Sequence, residues 1–157
     1  ILIVFLPLFG SEKGFSARSI GIILAIRALT SMASRFYLGK LTDRFDENKV
    51  LLSSLSITLV SLLLMEVSQN VWQLAAITFV VGFSLGIAQP MTMTNVTRIT
   101  SADERAMGVS LRLTGNRLGQ FIFPASAGLL AGALGAGSVF FALAGAIGLG
   151  LMAARRV

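Results

Sequence analysis

Cysteine and histidine are both missing from the 157 residues. Without cysteine there can be no disulfide and no thiolate metal site. Without histidine the chain lacks the side chain that most often shuttles protons or holds a metal near neutral pH. Acidic residues number only seven. Charged residues make up 13% of the chain, whereas a soluble domain carries about 25%. That is too little charge to cover a water-facing surface. The chain is instead 55% hydrophobic, with a mean hydropathy of +0.83, which points to an all-α, polytopic membrane bundle.

The net charge of +6 does not imply a nucleic-acid partner. The basic residues are scattered among apolar runs and form no stripe with interleaved aromatics. The opening ILIVFLPLFG has no basic leader, and about ten residues cannot cross a bilayer as a helix. It reads as the tail of a membrane helix in a fragment, not as a signal peptide.

Polar punctuation divides 1–157 into one partial span, 1–9, and five full ones at 19–39, 50–69, 72–96, 107–131 and 138–154. Each full span has about 17–25 residues, enough to cross about 30 Å at 1.5 Å per residue. Alternating direction puts Lys40, Arg44, Lys49, Arg98, Arg105, Arg155 and Arg156 on one side, against Lys13 and Arg18 on the other. The positive-inside rule makes the first side cytoplasmic, with loops at 40–49 and 97–106 and the C-terminus there. The lipid bilayer is the expected environment and the cell (plasma or inner) membrane the expected location. Glycine pairs Gly82/Gly86, Gly115/Gly119 and Gly128/Gly132 have the spacing that lets helices approach closely in lipid.

One stretch is dense in charge: Lys40, Asp43, Arg44, Asp46, Glu47 and Lys49 fall within ten residues. Its plainest role is to set topology. The run from Gly39 through Asp43-Arg44 to Lys49 also resembles the signature loop of the major facilitator superfamily: Gly, three residues, Asp-Arg or Asp-Lys, one residue, then Gly-Arg and a further basic residue. Gly39, Asp43, Arg44 and Lys49 match; Asp46 replaces the second glycine and Asn48 a usually basic position. GFSLGIAQP (82–90) is similar to the glycine-rich helix of the family's later hairpin, and SADERAMG (101–108) to the loop before the next helix. LTGNRLGQFIFPASAGLL (113–130) resembles the eleventh helix more than the fifth. The resemblance implies one six-helix half, the C-terminal one, of a twelve-helix transporter, with its first helix truncated. It also implies a partner in the missing half. Asp43 would be a latch pairing with Arg98, Gly39 would allow close helix passage, and Arg44 and Arg105 would join the gating set.

Four arginines fall within the spans: Arg27, Arg35, Arg112 and Arg117. Arg35 and Arg112 lie close enough to a span end to snorkel. Arg27, about 12 Å from the outer end of its span, and Arg117, about 15 Å from the inner end, sit near mid-membrane, where a charge marks a functional candidate. At 100° per residue, Arg112, Asn116, Arg117 and Gln120 share one arc, as do Arg27, Thr30, Ser31, Ser34 and Arg35. Two polar stripes suit a wet cavity, or else hydrogen bonding between helices. Glu66 reads as interfacial. Pro90 and Pro124 shape their helices or hinge them, and Gln89 can reach the cavity.

The expected solute contacts are therefore Arg27, Gln89, Asn116, Arg117 and Gln120. Arg is the side chain best shaped for bidentate binding of a carboxylate or phosphate, so a small organic anion or drug-like solute is the expected substrate. No metal or cofactor is expected. With no histidine, cysteine or buried acid pair, a membrane-embedded enzyme is disfavoured. A transporter-fold receptor or scaffold remains the alternative.

Overall fold

The computed structural model describes residues 2–154, apart from the side chains of Ile99, Ala153 and Ala154. The C-terminal arginines, Arg155 and Arg156, lie outside the described residues. The described residues form six helices: α1 Leu2–Glu12, α2 Ala17–Arg44, α3 Glu47–Val67, α4 Val71–Ile99, α5 Arg105–Leu134 and α6 Ser138–Ala154. Three of them, α2, α3 and α4, are long and apolar enough to cross a membrane by length and composition. In α5, three arginines and two amides interrupt the apolar run.

The helix ends follow local chemistry. Ser16 Oγ accepts the Ser19 amide at 3.2 Å and starts α2. Asp46 Oδ1 accepts the Asn48 amide at 3.0 Å and starts α3, with Glu47 in the first turn to complement the helix dipole. Gly14 and Gly135 adopt φ of 78° and 85°, a left-handed conformation that glycine enters without Cβ strain. They stop the chain after α1 and α5.

The expected loops at 40–49 and 97–106 are shorter than charge content suggested. Helix α2 continues through Lys40 to Arg44, so only Phe45 and Asp46 connect it to α3. Helix α4 runs to Ile99, leaving Thr100 to Glu104 as the link. Charge does not end a helix: no glycine or proline follows Gly39 until the Asp46 cap.

Helix α4 is the centre of the bundle, packed between α2 and α3, and α3 packs in turn on α6. The core gathers Leu6, Phe9, Ile23, Leu62, Met65 and Phe140. Phe9 and Phe140 meet edge to face, their centroids 5.0 Å apart. Outward faces carry Leu29, Phe36, Trp72, Phe121 and Leu129, all exposed, as expected where the surrounding solvent is hydrocarbon.

Of the three glycine pairs, only Gly82 and Gly86 serve a helix crossing. A Cβ on Gly82 would lie 2.6 Å from the Arg27 carbonyl oxygen, and one on Gly86 would overlap Ser34 Oγ. Gly115, Gly128 and Gly132 meet nothing within 4 Å, and Gly119 meets only Phe123 of its own helix. Helix α5 packs mainly on α4 and α6, and Gly115, Gly128 and Gly132 face away from the described residues of this chain.

At the end away from the charged run, Glu12 Oε2 accepts the Ala136 amide at 3.1 Å and ties α1 to the turn before α6. Glu66 is not a simple interfacial residue. Its carboxylate presses on Gly137, and its Oε2 is buried without a hydrogen-bond partner.

Candidate functional site

The solute candidates divide between α2, α4 and α5. On α5, Asn116, Arg117 and Gln120 are all exposed. Arg117 Nη1 donates to Gln120 Oε1 at 3.4 Å, a long bond within one helical turn. Among the described residues no carboxylate pairs with Arg117. A cation held only by a neighbouring amide keeps most of its donors for a ligand.

Arg27 is half-buried on α2, its backbone against Gly82 and its Nε buried without a partner. The rest of the α2 stripe does not line a cavity. Thr30 and Ser34 are buried. Thr30 Oγ1 donates to the Ile26 carbonyl at 2.6 Å and Ser34 Oγ to the Ser31 carbonyl at 2.9 Å. These hydroxyls satisfy themselves inside the α2–α4 seam, the common fate of Ser and Thr in apolar helices. Arg35 is exposed.

Gln89 has an exposed side chain on α4. Its backbone carbonyl accepts from Arg112 Nη2 at 3.1 Å, and the same nitrogen donates to Thr92 Oγ1 at 2.6 Å. Arg112 therefore does not snorkel as expected; it bridges α5 to α4. An open apolar groove of about 510 Å³ between α3 and α4, lined by Ile57, Val60, Leu64 and Val80, includes none of the predicted solute contacts.

At the charged end, the expected Asp43–Arg98 pair does not form. Arg98 Nη1 donates to Glu47 Oε2 at 2.6 Å, while Asp43 and Arg44 are exposed. The α3–α4 hairpin sets the first turn of α3 beside the last turn of α4, which brings Glu47 to Arg98. The last turn of α2 also disfavours a carboxylate, because a helix C-terminus is the negative end of its dipole. Gly39 is exposed with open space where a Cβ would stand, so among the described residues no other helix passes close to it. Arg105 is exposed at the first position of α5. Among the described residues no cluster of acidic side chains could hold a metal ion.

The Major Facilitator Superfamily model matches residues 1–157. The chain belongs to that superfamily. Its all-α membrane bundle is the superfamily's fold. Similar superfamily proteins include the multidrug resistance protein MdtG of Salmonella paratyphi C (strain RKS4594), 30% identical over 149 residues, which are 90% of this chain and 36% of that protein. MdtG of Serratia proteamaculans (strain 568) is 30% identical over 155 residues, 94% of this chain and 37% of the relative. MdtG of Yersinia enterocolitica is 30% identical over 149 residues, 90% and 35% respectively. The chain thus spans just over a third of these relatives.

Against the superfamily loop pattern, Glu47 stands where arginine is usual. The ion pair with Arg98 turns that departure into a contact. Both partners are partly exposed, Arg98 at 65%, so the pair is worth about 0.2–1 kcal/mol. Glu47→Arg and Arg98→Glu should each lower thermal stability of the detergent-solubilised full-length protein slightly. The double swap should recover most of the loss; a double swap no better than the sum of the singles would show the pair contributes nothing.

Proposed function

We propose that residues 1–157 form the C-terminal six-helix half of a secondary transporter in the inner (plasma) membrane, moving a small organic anion or drug-like solute by alternating access. The observation that carries this reading is the exposed face of α5, where Arg117 stands beside Asn116 and Gln120 with no carboxylate partner among the described residues. In an apolar surround such a guanidinium recruits a carboxylate or phosphate in two-point contact. Arg27 and Gln89 complete the solute contacts from α2 and α4. The name of the relatives, multidrug resistance protein, supports an efflux role.

The basic loops lie in the cytoplasm on this reading. Gly39, Asp43, Arg44, Arg98 and Arg105 govern movement between states, and the open space at Gly39 suits a helix of the other half. Asp43, exposed and unpaired among the described residues, would meet a helix N-terminus of that half. Rocking of one half against the other then exposes the site to either side.

Full-length protein in proteoliposomes, offered labelled benzoate and labelled tetraphenylphosphonium, tests the substrate class. Saturable transport of benzoate is expected. Transport of the cation alone would overturn the anion reading, and saturable binding without flux of either would favour a receptor. Asp43→Asn should slow turnover several-fold while leaving solute affinity close to that of the unsubstituted protein. Unchanged turnover would remove Asp43 from the gating set.

A further inference from the structure

Helix α4 runs unbroken from Val71 to Ile99 with Pro90 inside it. Proline supplies no amide hydrogen, so the Gly86 carbonyl loses its usual partner four residues on and the helix is weakest there. The turn that follows carries a closed network. Thr92 Oγ1 donates to the Gln89 carbonyl at 2.8 Å. Arg112 Nη2, from α5, donates to that carbonyl at 3.1 Å and to Thr92 Oγ1 at 2.6 Å. The hydroxyl gives its one proton to the carbonyl and takes the guanidinium on a lone pair, so all three groups are satisfied together.

The pin falls at one place on each helix. On α4 it seizes the residue next to the proline, which is Gln89. On α5, Arg112 lies one turn before Asn116 and two turns before Gln120, on the same arc. Contact between α4 and α5 is otherwise slight compared with that of α4 on α2 or α3, so the pin has few competitors in setting their register.

We propose that Arg112 is a positioning residue. With Thr92 it locks α5 to the Pro90 break in α4 and so holds Gln89, Asn116 and Gln120 on one wall. The inference rests on reading those three residues as solute contacts. A cation that only reached for the membrane surface would need neither Thr92 nor the backbone carbonyl, and lysine would serve as well. Both bonds leave the single nitrogen Nη2, and a lysine ammonium, one bond closer to its backbone, stops short of that position.

The test uses the full-length protein, with cysteines elsewhere replaced, carrying spin labels at Asn95→Cys and Met107→Cys. Arg112→Gln, Arg112→Lys and Thr92→Val are compared by label-to-label distance and by KM and kcat for benzoate transport. Each should broaden the distance distribution. Arg112→Gln and Thr92→Val should each raise KM roughly five- to tenfold, the effect of one lost hydrogen bond of about 1 kcal/mol or slightly more. The pair combined should be no worse than Arg112→Gln alone, because both remove one network. Narrow, unshifted distances in Thr92→Val, or full recovery in Arg112→Lys, would overturn the proposal. Should benzoate prove not to be a substrate, the anion reading fails on its own, while the distances still decide whether the pin exists.

Discussion

Gly86→Val should open the seam between α2 and α4 and cost about 1–3 kcal/mol or more, the range for overpacking a close-packed interior. The reason is geometric. A Cβ on Gly86 would overlap Ser34 Oγ and lie 2.5 Å from the Ser31 carbonyl oxygen. The hydroxyl could rotate, but the carbonyl belongs to helix backbone and can move only if α2 moves. One turn earlier the same face of α4 presents Gly82 to the Arg27 backbone, so no neighbouring slack absorbs the shift. Gly148→Ala is the control. Its Cβ would meet only Leu59 at 3.4 Å, an ordinary contact, and alanine is the better helix former. Thermal unfolding of the purified full-length protein should show a clear loss for Gly86→Val and none for Gly148→Ala. Equal stability of the two would mean that the seam is not closely packed.

Arg117→Ala should abolish most solute affinity and leave the fold intact. Arg117 is exposed and, among the described residues, bonds only to Gln120 in its own helix, so its loss leaves no buried partner stranded. A charge-assisted hydrogen bond contributes about 1.5–3 kcal/mol, which corresponds to roughly a 10- to 100-fold weaker interaction with an anionic solute. Arg35→Ala, also on an exposed face, should transport as the unsubstituted protein does. Equilibrium binding of labelled benzoate, measured beside thermal stability, separates a lost contact from a lost fold. Normal binding in Arg117→Ala would dismiss the α5 face as the solute site.

Hydropathy made the helices legible, because a continuous apolar run of about 20 residues satisfies its own backbone in lipid as a helix. The same scale could not separate faces. In a membrane, core and lipid-facing surface are both apolar, so polarity alone does not say which way a stripe looks. Arg27, Thr30 and Ser34 share an arc in sequence, yet the two hydroxyls bond their own helix inside the seam with α4. The α5 arc is exposed at Asn116, Arg117 and Gln120. Nothing in residue type distinguished the two. A local signal did exist at Glu47, where an acid replaces the basic residue of the superfamily loop. Its meaning depended on Arg98 lying opposite.

Sequence by itself determined the class of protein, the number of helices and the superfamily. These follow from composition and from patterns within one helix, which are local quantities. Only the tertiary structure decided which groups meet: Glu47 and not Asp43 with Arg98, Arg112 with the Gln89 carbonyl and Thr92, Gly82 and Gly86 with α2 while Gly115, Gly128 and Gly132 of α5 face open space. Each of these contacts joins residues on different helices, some 50 positions apart in the first case. Their partners are set by which helices lie side by side and in what register, and no periodicity within a single helix contains that information.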